Sequence, residues 1–195
     1  LTHSTYPIKE TDTVLIHAAA GGVGLLLVQM AKACGAKVFG TVSTPDKANI
    51  AWDAGADKVI IYTKQNFGKE VNRFTNDRGV DVVYDGVGLS TYEQSLTSLR
   101  SRGTLVLFGQ SSGPVPPINP LILSQTGSLY LTRPTLIDYS ATQEEFHQRA
   151  NDMFELVQSG RLKIRIDKTL PFSKATEAHQ LLEERKTSGK LLLIP

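Results

Sequence analysis

The chain of 195 residues has a single cysteine, Cys34. One thiol cannot close an internal disulfide or build a multi-thiolate metal site. That fits a reducing compartment, and a cytoplasmic location is expected. Cys34 ends an expected helix and reads as a small buried side chain, not a nucleophile. The histidines, His3, His17, His147 and His179, are far apart and lack ligand spacing, so no metal site is expected, zinc included. His17 lies in an apolar strand and reads as a satisfied core or cleft histidine. Long apolar runs are also missing. Leu25–Val28 is as long as any aliphatic run, against the roughly 20 residues a membrane helix needs. Charge of one sign is lacking too: 21 basic and 19 acidic residues are interspersed, for a net +2. Without a basic run there is no electrostatic footprint for nucleic acid. The chain does not begin with Met, and Leu1–Glu10 is polar, without the apolar core of a signal peptide. It is read as part of a longer protein whose N-terminal portion is missing.

What is present is a rhythm of short apolar runs and amphipathic segments. Strands are expected at Thr13–Ala18, Lys37–Val42, Lys58–Tyr62, Val80–Tyr84, Thr104–Phe108 and Ser128–Thr132. Helices are expected at Gly22–Cys34, from Thr44-Pro45 to Gly55, at Asn66–Asn76 and at Thr91–Leu99. Thr44 suits an N-cap and Pro45 a first helical position; Gly35 suits the turn past a helix end. Alternating strands and helices imply a Rossmann-type, doubly wound α/β fold. Its parallel sheet has about six strands and is covered by helices on both faces. Gly109–Pro120 carries four prolines and two glycines and reads as a loop. Beyond it, Glu144–Gln158 reads as a long amphipathic helix, Phe172 to about Arg185 as another, and Leu191–Ile194 as a last strand. A boundary near Ile137 divides the chain into a dinucleotide-binding core, 1–137, and a C-terminal segment, 138–195.

The chemistry concentrates at Ala19-Ala20-Gly21-Gly22-Val23-Gly24, between the first strand and the first helix. It is a G-x-G-x-x-G pattern with Ala in the first place. Small residues there allow a tight turn, close approach of a pyrophosphate and close packing of helix on strand. The helix N-terminus adds unpaired N–H groups and partial positive charge. The second strand selects the cofactor. A site for NAD places Asp or Glu at its end, to bind the ribose 2′-hydroxyl. Here the strand ends Thr41-Val42-Ser43, with Lys47 following. A hydroxyl and an ammonium suit a 2′-phosphate, which a carboxylate would repel. NADPH is therefore the expected cofactor. Asp46 reads as a helix-dipole partner in the next first turn. Tyr62 ends the third strand, where an adenine ring would lie. Asp85-Gly86-Val87-Gly88 and Phe108-Gly109-Gln110 end two further strands on the same side, where ligands of open sheets bind. Asp85 reads as a turn cap and is not assigned as catalytic.

Together, HAAAGGVG at 17–24, KACGAKVFGTVST at 32–44, VVYDGVG at 82–88, LFGQSSGPV at 107–115, GSLYLTRP at 127–134 and SGKLLLIP at 188–195 resemble the zeta-crystallin-like quinone oxidoreductases. These are the zinc-independent branch of the medium-chain dehydrogenase/reductase superfamily. The likeness runs from about Thr13 to Pro195. It implies hydride transfer from NADPH to a quinone or an enone. It also implies that Gly21, Gly22, Val23 and Gly24 cradle the pyrophosphate and that Ser43, Lys47 and Tyr62 surround the 2′-phosphate and adenosine. Arg185 matches a tail arginine that reaches the same phosphate, while Val87, Phe108, Gly109 and Gln110 match the nicotinamide side. In that family a small β-rich catalytic domain precedes the Rossmann domain, so no catalytic side chain is assigned within these residues. The chain alone is expected to bind cofactor without turnover. The resemblance further implies a homodimer formed through the strand at 128–132. A competing class is a non-catalytic NADPH-binding sensor or structural protein, crystallin-like or RNA-binding; the even charge distribution speaks against RNA. A methyltransferase on a similar sheet would want an acid where Ser43 stands.

Overall fold

A computed structural model describes residues 1–195. Six strands, Thr13–Ile16 (β1), Lys37–Val42 (β2), Lys58–Ile61 (β3), Val80–Asp85 (β4), Leu99–Leu107 (β5) and Tyr130–Thr132 (β6), form one sheet in the order β3-β2-β1-β4-β5-β6. Every pairing in it is parallel. The crossovers are Gly24–Ala33 (α1), Pro45–Asp53 (α2), Phe67–Thr75 (α3), Tyr92–Thr97 (α4) and Leu121–Gln125 (α5). This is the doubly wound architecture expected from the alternation of elements.

The sheet is buried on both faces, so its strands read as continuous apolar runs. Successive side chains point to opposite faces, and two cores result. Val14, Ile16, Val38, Val82, Tyr84 and Val106 pack with Leu27, Val28 and Ala31 of α1 and Ala48 and Ala51 of α2. Leu15, Phe39, Ile60, Val83, Leu105 and Leu107 pack with Phe67 and Val71 of α3 and Leu96 of α4. The helix starts follow local chemistry. Thr44 caps α2 by accepting from the Lys47 amide, with Pro45 in the first turn, and Asn66 caps α3 by accepting from the Lys69 amide. Gly35 and Gly55 stand just past α1 and α2 with φ of 82° and 107°.

Three elements differ from the sequence reading. β5 begins at Leu99, not Thr104, because Leu99 pairs with Val80 before the register shifts; Arg102 takes φ 60° within it. β6 spans Tyr130–Thr132 and pairs only with β5. A strand that the sequence does not announce, Ile166–Pro171 (β7), lies parallel to Lys190–Ile194 (β8) in a separate two-stranded sheet. The helix Ala175–Glu183 (α7) connects them, after the long helix Gln143–Gln158 (α6). Gly189, just before β8, bridges to Gly21 of the turn after β1. This brings the tail of the chain onto the C-terminal ends of β1 and β4, from which the crossovers leave to opposite faces of the sheet. No helix is long and apolar enough to cross a membrane.

Candidate functional site

The turn between β1 and α1 is held by main-chain contacts. The Gly21 amide donates to the Ala18 carbonyl at 2.8 Å and the Ala19 amide to the Thr41 carbonyl at 3.0 Å. Ala18 itself is left-handed, φ 50°, at a cost of about 1–2 kcal/mol for a residue with a Cβ. Gly24 shows why the motif needs glycine. A Cβ there would stand 2.2 Å from the Ala18 carbonyl oxygen and 2.9 Å from Ala18 C and Ala19 Cα. Helix α1 starts without a side-chain cap. The amides of Gly22, Val23 and Gly24 have no acceptor within the chain. Three free donors at a helix start form an anion cradle.

The turn opens into a cleft of about 890 Å³, the size range of small-molecule sites. Gly21, Gly22, Ser43, Lys47, Tyr62, Val87 and Arg185 all line it. The sequence placed these residues on five separate segments. The structure brings them together at the C-terminal edge of the sheet, where such ligands bind. Tyr62 is 42% exposed there, rather than packed into the core. Ser43 uses its carbonyl to accept from the Thr63 hydroxyl, leaving its own hydroxyl at the cleft. Lys47 is already engaged: its ammonium donates to the Arg185 carbonyl at 2.6 Å. Arg185 turns with φ 57°, and its guanidinium joins none of the ion pairs. Burial pushes the Lys47 ammonium below its ordinary range; Asp167 opposes the shift and Arg185 adds to it.

Under the cleft lies a buried polar chain. His17, directly after β1, meets the Thr41 hydroxyl through Nδ1 at 2.9 Å and the Ser95 hydroxyl through Nε2 at 3.0 Å. Ser95 donates to Asp85 at 2.9 Å. The Asp85 carboxylate also accepts from the Val87 and Gly88 amides, at 2.8 and 3.0 Å, and from the Thr91 hydroxyl. It caps the turn after β4, as its position suggested. Burial pushes the His17 imidazole below its ordinary value, against the pull of Asp85. The Phe67 and His17 rings meet edge to face, with centroids 4.7 Å apart.

Five of the candidate residues stand elsewhere than in the cleft lining. Gly24 packs against Ala18, and Val23 presents its side chain outward, 45% exposed; their contribution is the backbone amide. Phe108 lies against Gly86, where an added Cβ would meet its ring at 2.9 Å. Gly109 closes on the Gly86 carbonyl, and Gln110 accepts from Arg133. The loop 108–113 backs the turn 86–89 through the Ser111 and Ser112 amides, which donate to the Gly86 and Val87 carbonyls. Ser111 reaches the cleft instead. Gln65, Asn66, Gln94 and Thr187 also line it and went unmarked in the sequence. Asn66 was read only as the start of a helix. The others are single polar residues with no local signal. Cys34 is half-buried, more accessible than its place in the sequence suggested.

A nucleotide-sized cleft over a free helix start, on this sheet order, is what a dehydrogenase cofactor domain presents. Residues 22–158 match the zinc-binding dehydrogenase family. The chain belongs to that family. It is 47% identical over 197 residues to quinone oxidoreductase 1 of Escherichia coli K12, covering all of this chain and 60% of that protein. A 2-haloacrylate reductase of a Burkholderia species is 41% identical, with all of this chain and 59% of that protein covered. Among solved structures, Escherichia coli quinone oxidoreductase complexed with NADPH superposes with a TM-score of 0.96 at 46% identity, over all of this chain and 60% of that one. The chain thus spans about 60% of the length of these relatives.

The family's description names zinc, and the donor set here can be compared with what zinc requires. Structural and catalytic zinc sites use three or four Cys, His or carboxylate ligands. No group of three or more such residues in this dehydrogenase domain is placed to hold a metal. His17, the histidine at the cleft, has both ring nitrogens committed to hydroxyls. The residues present do not fit a zinc ion.

Proposed function

We propose that this chain is the NADPH-binding part of an oxidoreductase that passes hydride to a quinone or another conjugated acceptor. One observation carries the reading. Ser43, Lys47 and Arg185 line one corner of the cleft past β2, and that strand ends Thr41-Val42-Ser43, without the carboxylate that would take a ribose 2′-hydroxyl; the acid in the lining, Glu183, comes from α7. A 2′-phosphate there would receive a hydroxyl, a guanidinium and an ammonium. The relatives named for quinone and haloacrylate reduction, and the neighbour complexed with NADPH, support it.

The residues divide the work. The Gly22, Val23 and Gly24 amides would hold the pyrophosphate, and Tyr62 would lie along the adenine. Val87 would cover one face of the nicotinamide, with Phe108, Gly109 and Gln110 fixing its turn from behind. The cofactor would supply the hydride; the chain's contribution is to bind and orient. The chain spans about 60% of the length of the relatives named for these reductions, so the acceptor would be held in part by residues outside it. Residues 1–137 would form the cofactor domain and 138–195 a segment that returns toward the acceptor side. Phe146, Phe154 and Phe172, all more than half exposed, give that segment an apolar surface. The Tyr130–Thr132 edge, unpaired on its outer side, would join a second copy.

The test is a fluorescence titration of the 195-residue chain with NADPH, with adenosine 2′,5′-bisphosphate as competitor. Binding with competition supports the reading. Saturable binding that the bisphosphate leaves untouched would place the cofactor, if at all, away from Ser43 and Arg185 and overturn it.

A further inference from the structure

The buried chain beneath the cleft has a direction. Asp85 is fully buried, and its carboxylate only accepts, so the single Ser95 proton goes to it. The Ser95 oxygen then has to receive from His17, which puts the imidazole proton on Nε2. In the neutral ring, the form that burial favours, Nδ1 is left as an acceptor, filled by the Thr41 hydroxyl. Every proton in the sequence Thr41 → His17 → Ser95 → Asp85 is thereby assigned. The order is not that of an activated nucleophile, in which the histidine takes a proton from the serine; here the serine lies between histidine and carboxylate, inaccessible at 0% exposure.

The ends of the chain matter more than its middle. Ala18, next to His17, is the strained left-handed residue of the phosphate turn. Thr41 also accepts the Ala19 amide through its carbonyl. At the other end, Asp85 holds the Val87 and Gly88 amides. The relay therefore spans the crevice from the phosphate turn to the turn that carries Val87, crossing three strands and α4. We propose that Thr41, His17, Ser95 and Asp85 are positioning residues that lock these two turns together, with His17 fixed as the neutral Nε2–H tautomer. The floor is then set before a cofactor arrives, and binding loses less to ordering. The functional consequence rests on the reading of the cleft as an NADPH site; the tautomer assignment does not.

The experiment uses the 195-residue chain labelled with ¹⁵N-histidine. Long-range ¹H–¹⁵N correlation reads the tautomer, with His17 assigned by the signals lost in His17→Gln. NADPH affinity is then measured for the parent chain, Ser95→Ala, His17→Asn and His17→Gln. We expect the Nε2–H form in the parent chain and a mixture of tautomers in Ser95→Ala. We expect affinity to fall about tenfold in Ser95→Ala and His17→Asn, the size of one weakened charge-assisted contact to the cofactor. His17→Gln keeps an amide donor facing Ser95 and should remain within about threefold of the parent. An Nδ1–H tautomer, or Ser95→Ala binding as the parent does, overturns the relay. A parent chain that binds no NADPH defeats the reading of the cleft, while the tautomer arm still decides the relay. If Ser95→Ala does not fold, the parent tautomer and the contrast between the two His17 variants decide it.

Discussion

Replacing Gly24 with alanine sets two effects against each other. Alanine is the better helix former by about 1 kcal/mol in a helix interior, so α1 should gain slightly. The added Cβ, however, would stand 2.2 Å from the Ala18 carbonyl oxygen and 2.9 Å from two further main-chain atoms. Main chain cannot rotate away as a flexible side chain can. Ala18 already sits at φ 50°, and Ala19 is tied to β2 through the Thr41 carbonyl. The turn must therefore open by about an ångström, and overpacking of this kind costs roughly 1–3 kcal/mol. We take the upper end, since backbone meets backbone, and the clash wins. For a chain of this size the net change lowers the melting temperature by about 4–8 °C. Binding should suffer more than folding. The displaced atoms belong to the turn that presents the Gly22, Val23 and Gly24 amides, and losing one such charge-assisted contact to a pyrophosphate costs about 10- to 100-fold in affinity. Differential scanning calorimetry and NADPH titration of Gly24→Ala measure both. A variant that melts and binds as the parent does would falsify the packing argument.

Lys47→Ala and Arg185→Ala should each weaken NADPH binding about 10- to 100-fold, and the double variant should lose less than the sum, because Lys47 grips the Arg185 carbonyl; additive losses in isothermal calorimetry would show that the clip is idle. Asp81 is burdened by burial, yet donors from Arg78, Arg100 and the Thr13 amide hold its carboxyl below the ordinary range. Its contribution is present above the unfolded value of about 3.9 and lost as pH falls through the folded value; Asp81→Asn should cost about 2 kcal/mol near pH 7 and less in acid, and a denaturation midpoint deficit that does not shrink with acidification would contradict this. Tyr130→Lys places a cation on the exposed edge strand and should shift a dimer to monomer in light scattering; a parent chain already monomeric at high concentration would refute the pairing. The 195-residue chain should oxidise NADPH with benzoquinone hardly faster than the uncatalysed reaction, since under the proposed reading the acceptor would be held in part by residues outside it; saturable turnover would overturn that division.

The parallel sheet was legible because both faces of its strands are buried, which writes TVLI, KVFGTV and VVY as unbroken apolar runs. The glycine turn after β1 was legible because its geometry demands small residues at fixed spacing. β7 was not: its IDKTLP lies at the surface with polar and apolar residues mixed, so no period marks it. The start of β5 was hidden by Arg100, Ser101 and Arg102, residues chosen for the Asp81 contact and for a left-handed bend rather than for a strand face. The Ser43, Lys47 and Tyr62 corner could be read from strand ends. The Lys47–Arg185 clip could not, since it joins residues 138 apart in sequence. Phe108 and Gln110 end a strand beside the crevice, yet their loop turns behind the Gly86 turn, and strand ends alone do not show which way a loop folds.

The most direct test is to titrate the chain with NADPH and NADH under one set of conditions. The two differ by the 2′-phosphate alone. A site built from Ser43, Lys47 and Arg185 should prefer NADPH by about 10- to 100-fold, the worth of a charge-assisted contact of roughly 1.5–3 kcal/mol. Equal affinities, or tighter binding of NADH, would contradict the account.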